Sequence, residues 1–379
     1  MPAIKSISCR KILNSASEWT IEAGLELEDG SIGIASVPGG ISRGKNEAVS
    51  LDADSAIKRA GEVRKKLERA LFDTQSEFDK FLIKLDGTKD KSKLGGNTIL
   101  SFSIAFCKAC AKSKGKEPYQ LIRTLLTEMG GKPEDKVHLP KIMMLILEGG
   151  VHGAGKATIQ EFMAIVDNIQ EGDAVYDKVR QELRHLNEST NVGAEGAFSP
   201  INFDNEQILS FLSGYLSKEK IALDAAASSF PEGTQYPDYE GLLKAYSIAS
   251  VEDPFKEDDW SNWEKFAKDH LDKIQIVTDD LTSTNTEILR KAIDKKIANA
   301  AIVKPNQIGS LTETFEFINL AKESGWKIIV SHRGTDTNDD FIADLAVGSS
   351  ADYVKFGAPA RGERVAKYNR LLQIGVTPD

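Results

Sequence analysis

Six short apolar runs, each closing on a residue that can do chemistry, constrain this chain more than any other feature. They are Ile-Ala-Leu-Asp224, Ala-Ser-Val-Glu252, Gln-Ile-Val-Thr-Asp279-Asp280, Ala-Ala-Ile-Val-Lys304, Lys-Ile-Ile-Val-Ser-His332-Arg333 and Asp-Tyr-Val-Lys355. Successive members of the series 224, 252, 279, 304, 332 and 355 stand 23 to 28 residues apart. That interval fits one strand plus one crossover helix. Runs this short and apolar suit strands buried on both faces. Helix-like patterns fill the gaps at Glu287 to Lys296, Leu311 to Ser324 and Asp339 to Ala346. The alternation predicts (β/α) units in a closed parallel barrel. In such barrels catalytic side chains sit at the carboxyl ends of strands, where these residues fall.

At 379 residues the chain has room for a second domain. Residues 1 to about 50 alternate as strands, with Glu28-Asp29-Gly30 as a hairpin turn between Ile21–Leu27 and Ile32–Ala35. Helical spacing follows over Ala53 to Leu71, Gln75 to Leu85, Gly95 to Ala111 and Pro118 to Met129. A small sheet followed by helices predicts an N-terminal α+β domain over residues 1–130. The polar stretch Gly130 to Lys136 reads as the connection to a TIM-like barrel over residues 131–379. That second domain opens with strand candidates Ile142–Leu147 and Ile159–Val166, then a helix over Asp173 to Leu186 and another before Asp224.

The net charge of −9 disfavours a nucleic-acid partner. The longest apolar run, Ile142 to Leu147, is too short to span a bilayer. The first residues carry no apolar signal core. The expectation is a cytoplasmic protein acting on a small molecule. Two motifs are decoys. Gly39 to Lys45 matches G-x-x-x-x-G-K, but Asn46 stands where a magnesium-binding hydroxyl belongs and no buried parallel strand precedes it. Cys107-Lys-Ala-Cys110 lies inside a helical pattern with no second pair of ligands, so it reads as small buried residues.

The remaining residues form a chemistry. Asp224, Glu252 and Asp279 end three successive strands. Converging carboxylates repel unless a cation lies between them, and all-oxygen ligation suits Mg²⁺ or Mn²⁺. Lys304, His332-Arg333 and Lys355 follow, and cations opposite a metal site suggest a bound anion. A lysine near a divalent metal should have a lowered pKa and can act as a general base. Glu195 or Glu161 could supply the acid that expels a leaving group. Together these suggest proton abstraction beside a carboxylate, through an enolate that needs concentrated positive charge.

Longer segments then become informative: Glu148-Gly-Gly-Val-His152, Gln160-Glu161-Phe-Met, Asn191-Val-Gly-Ala-Glu195-Gly, Val251-Glu252-Asp-Pro-Phe, Lys304-Pro-Asn-Gln-Ile-Gly, Ser331-His-Arg, and Lys355 through Asn369. The sequence resembles the enolase family over nearly its whole length. The resemblance implies a lyase interconverting 2-phosphoglycerate and phosphoenolpyruvate, with Lys304 as base and Glu195 as acid. It implies a tightly held Mg²⁺ on Asp224, Glu252 and Asp279, and a second Mg²⁺ arriving with substrate near Gly39. It makes His152, Glu161, His332, Arg333 and Lys355 substrate contacts, with Glu252, Asp279, Ser331 and Gly334 lining the same site. It also implies a lid-bearing first domain, a barrel that opens with an atypical hairpin, and a homodimer. The chain departs from the family at Gly39, where a serine is usual, and at Glu148, Ala194 and Gly334. It is also short between Gln160 and Asn191. Another carboxylate substrate, or a catalytically weak scaffold protein, are the alternative readings.

Overall fold

The computed structural model describes residues 2–38, 44–134, 136–153, 155–216 and 220–376. Gly39 and most of the loop that follows it lie outside these residues. The first unit is an antiparallel sheet of β1 (Ile4–Leu13), β2 (Trp19–Leu27) and β3 (Ile32–Ser36). Four helices follow: α1 (Ala53–Leu67), α2 (Gln75–Asp86), α3 (Gly96–Ser113) and α4 (Pro118–Glu128). Helix α1 stops four residues short of the sequence expectation. Arg69 takes a positive φ of 66° there, and its N–H bonds Ile4 of β1 at 2.8 Å.

Helix α3 lies against β2 and β3 at very short range. A Cβ at Gly33 would meet the Ala105 carbonyl oxygen at 2.0 Å, so only glycine lets strand and helix backbones approach this closely. The same contact explains the Ala, Ser and Cys content of α3. Cys107 and Cys110 are free and buried, and burial pushes both thiols up, Cys110 to about 12. Packing accounts for the C-x-x-C spacing. No helix follows Gly44 and Lys45 until α1, so the phosphate-loop reading also lapses.

The second unit is a closed barrel of β4 (Lys141–Glu148), β5 (Glu161–Val166), β6 (Ile221–Asp224), β7 (Ile248–Glu252), β8 (Gln275–Thr278), β9 (Ala300–Val303), β10 (Lys327–Ser331) and β11 (Tyr353–Lys355). Around it run α5 (Ile169–His185), α6 (Asn205–Ser213), α7 (Tyr239–Ala245), α8 (Trp260–His270), α9 (Thr286–Asp294), α10 (Pro305–Ile308), α11 (Leu311–Glu323), α12 (Phe341–Gly348) and α13 (Gly362–Gly375). The six runs read from sequence all end strands of this barrel or lie immediately beyond them. From β6 to β11 the strands run parallel as the alternation predicts, and the opening hairpin that the resemblance implies is present. Strand β5 is antiparallel to both β4 and β6, so the opening pair is a hairpin. Its first residue, Glu161, therefore shares the rim on which the parallel strands finish. No described helix is long and apolar enough to cross a membrane.

Buried polar contacts join the two units. Asp79 of α2 is fully buried and accepts bonds from the Thr312 N–H and hydroxyl at 2.8 and 2.7 Å, at the first turn of α11. Gln75 donates to its other oxygen at 3.0 Å. Lys91 pairs with Glu313 at 3.0 Å, and Lys108 with Asp339 at 2.9 Å. Burial lifts Asp79 from its ordinary 3.8 to about 6, against the pull of these donors. A carboxyl whose folded pKa is raised favours the folded state most below its unfolded value. That contribution disappears as pH rises through about 6. Asp79→Ala should cost about 1–3 kcal/mol at neutral pH by stranding buried donors. It should also flatten the fall in stability between pH 4 and pH 6 in urea titrations. An unchanged midpoint and slope would remove Asp79 from the joint between the units.

Candidate active site

Strand register alone assembles most of the site. Glu148 pairs with Glu161, Glu161 with Asp224, and Asp224 with Glu252, across four neighbouring strands. Asp279 and Lys304 each lie one residue past β8 and β9, and Ser331 pairs with Lys355. Glu161, Asp224, Asp279, Lys304, Ser331 and Lys355, with His152, Glu195, His332, Arg333 and Gly334, line one cleft, and Glu252 touches Lys355 in its wall. Every site residue expected from sequence and described here reaches the cleft or its wall. Gly39 is the exception in being outside the described residues.

The rim is held by two ammonium groups. Lys355 Nζ lies 2.7 Å from Asp224 Oδ2, 2.8 Å from Glu252 Oε2 and 3.1 Å from Glu161 Oε2. Burial would lower the lysine pKa, but Asp224, Glu161 and Glu252 raise it well above its ordinary value. Burial and neighbouring carboxylates push Glu161 and Glu252 up in turn. Lys304 pairs with Asp279 Oδ2, and Gln307 Nε2 donates to Asp279 Oδ1 at 2.9 Å. Asp253, at a positive φ of 41°, accepts from the Asp279 and Asp280 N–H groups at 3.0 and 2.7 Å and so fixes that strand end.

Glu195 occupies the opposite wall. A Cβ at Gly193 would meet Glu148 Oε1 at 2.0 Å, so glycine lets the Glu195 loop press against that carboxyl. The Glu195 N–H donates to Glu148 Oε2 at 3.2 Å. Burial and the Glu195 charge push Glu148 up to about 8. His332 Nε2 stands 3.0 Å from Glu195 Oε2, and His152 Nδ1 stands 3.6 Å from Oε1. Arg333 enters from a third side, 3.0 Å from Glu47 Oε2.

Two protonation states follow from the protein's own groups. The lowering expected of Lys304 depends on a divalent metal beside it. Burial does act that way, but Asp279 outweighs it and raises the lysine. Glu195, the expected acid, meets the same opposition. Burial does raise it, but His332, His152 and Arg364 together hold it well below the ordinary carboxyl range. Lys304 is governed by its Asp279 contact and Glu195 by the groups around it, neither of which spacing in the sequence reveals.

The donor set fits a hard divalent cation on chemistry. Asp224, Glu252 and Asp279 are all-oxygen, buried and on adjacent strand ends, and Glu252 Oε1 is buried with no hydrogen-bond partner. Among the described residues, the acidic and histidine groups that close within 4.8 Å are Asp253–Asp279–Asp280 and His152–Glu161–Glu195. Asp224, Glu252 and Asp279 are instead drawn onto Lys355 and Lys304. A cation there would take over the neutralisation those ammonium groups supply. Sequence reasoning gave no role to Glu47, Asp253, Gln307 or Arg364. The last three lie inside segments that carry the resemblance, so the signal was present without a chemical label.

A barrel whose carboxyl rim sets lysines and carboxylates around one cleft defines an acid–base enzyme for a small anionic substrate. Residues 4–122 match the family described as "Enolase, N-terminal domain". Residues 136–238 and 234–377 match "Enolase, C-terminal TIM barrel domain". The curated enolase of Neorickettsia sennetsu (strain ATCC VR-367 / Miyayama) is 38% identical over 411 aligned positions, covering 99% of each chain. That alignment is longer than this chain, so gaps fall within it. The chain belongs to the enolase family and is a carbon–oxygen lyase.

Lys355→Met tests the neutralisation directly. Removing one partner of a buried ion pair costs about 3–5 kcal/mol. The variant should lose that much stability in chelator, and millimolar Mg²⁺ should restore part of it. Equal stability to wild type in chelator would show that the ammonium does not hold the rim together.

Proposed function

We propose that the chain interconverts 2-phosphoglycerate and phosphoenolpyruvate, with Lys304 and Glu195 as its proton-transfer groups. The placement of these two residues on one cleft, with acids and cations between them, carries the reading. In the dehydration direction, neutral Lys304 takes the proton from carbon 2. Protonated Glu195 delivers a proton to the departing carbon-3 hydroxide, which leaves as water. Hydration runs the same steps backwards, with Lys304 as donor and Glu195 as acceptor.

Lys355 and Arg333 supply cationic contacts to the substrate's carboxylate and phosphate. His152 and His332 flank Glu195 and set its affinity for a proton. Mg²⁺, when held by Asp224, Glu252 and Asp279, supplies the positive charge that a dianionic enolate requires. A second magnesium near Gly39, a homodimer, a cytoplasmic setting and a division into residues 1–130 and 131–379 belong to the same reading. The 38% identity to a curated enolase across both chains supports it.

Two variants separate the steps. Lys304→Ala should lose both phosphoenolpyruvate formation and exchange of the carbon-2 hydrogen with D₂O. Glu195→Gln should lose product formation yet retain exchange, because the base survives. Loss of one acid–base group typically removes about two to four orders of magnitude in rate. Wild-type exchange in Lys304→Ala, or wild-type turnover in Glu195→Gln, would overturn the assigned roles.

A further inference from the structure

We propose that Arg364 is a positioning residue that fixes the tautomer of His332, making His332 a one-way hydrogen donor toward Glu195. Arg364 lies in the first turn of α13 and is fully buried. Its Nη1 stands 2.7 Å from His332 Nδ1 and 2.6 Å from the Arg333 carbonyl oxygen. Its Nη2 donates to the Gly334 carbonyl at 2.6 Å. One guanidinium thus grips three consecutive residues of the segment that carries His332. Asp336 Oδ2 at 3.6 Å and Glu363 Oε1 at 3.7 Å balance its charge.

The chemistry of the contact decides the proton. A guanidinium only donates and does not lose its proton in proteins. His332 Nδ1 must therefore present a lone pair to Arg364. The tautomer of a histidine is set by the bond its other nitrogen makes, so the proton of the neutral ring resides on Nε2. An imidazolium, or the Nδ1–H tautomer, would set two N–H groups head-on across 2.7 Å. The charged groups facing the ring are Glu195, Arg364 and Asp336, and burial together with Arg364 brings His332 down to about 4.

A second observation points the same way. His332 Nε2 and Glu195 Oε2 are both buried, 3.0 Å apart, and neither has a hydrogen-bond partner of good alignment. A proton on Nε2 completes the pair after a small rotation of either side chain. His332 then stabilises the Glu195 carboxylate without competing for its proton. The catalytic consequence rests on the role proposed for Glu195, but the tautomer rests on geometry alone.

The test is a two-bond proton–nitrogen correlation spectrum of ¹⁵N-histidine-labelled protein without substrate. The chain has five histidines, so the spectrum is tractable, and His332→Asn assigns the signal. The expected pattern is a pyrrole-type Nε2 and a pyridine-type Nδ1, unchanged from pH 6 to pH 8. A pyrrole-type Nδ1, or an imidazolium, overturns the proposal even if no Arg364 variant folds. Arg364→Lys keeps a donor-only cation and should keep the pattern. Arg364→Gln offers an amide oxygen that can accept from Nδ1–H, and should show mixed tautomers. Its kcat should fall roughly tenfold to a hundredfold, as for other partners that orient a functional histidine, with Arg364→Lys losing less. A wild-type spectrum in Arg364→Gln would remove Arg364 as the cause. If the wild-type pattern is as expected while Glu195→Gln turns over normally, the tautomer stands and the catalytic role of Glu195 fails.

Discussion

Three carboxylates brought side by side in a dry rim repel one another, and the structure answers with one ammonium. Lys355 touches Asp224, Glu252 and Glu161 at once. The barrel register makes this unavoidable, because those acids are lateral neighbours on successive strands. Taking such charges out of water is expensive unless each finds a partner. The rest of the site repeats the solution. Lys304 serves Asp279, Arg333 serves Glu47, and the backbone N–H groups of residues 279 and 280 serve Asp253. The cleft is therefore a set of matched charges that ligands must enter by exchange. A divalent cation suits such a place because it can take over the neutralisation of Asp224, Glu252 and Asp279 from the lysines.

Much of this was legible in the sequence because strand ends in a barrel are marked twice, by an apolar run and by the residue that closes it. Asp224, Glu252, Lys304 and Lys355 all fall where that rule put them. The direction of β5 was not legible from alternation, since the apolar run from Phe162 to Val166 reads the same in either sense. Only resemblance to the family implied a hairpin there. Protonation was the least accessible property. At Lys304 and at Glu195 burial and neighbouring groups pull in opposite directions, and the neighbours outweigh burial in each case. No spacing in the chain reports those neighbours.

Arg364 and Asp253 illustrate a different limit. Both lay in segments distinctive enough to carry a family resemblance, yet neither faces the reacting atoms with an obvious task. Their work is on the backbone and ring nitrogens of neighbours: Asp253 through the 279–280 amides, Arg364 through His332 and two carbonyls. A sequence names the side chain but not the amide it holds. Glu148 belongs with them. It was visible only as a departure from the family pattern, and the structure shows it braced under the Glu195 loop.

The hairpin and the last strand bear differently on how the barrel comes together. Glu148 and Glu161 meet within one hairpin, through contacts close in sequence that form readily. The cation that meets Glu161 arrives on β11, the final strand, which pairs with β4. Pairing of the final strand with the first brings the acids of β5, β6 and β7 their shared counter-charge, so neutralisation of the cleft links the two ends of the barrel sequence.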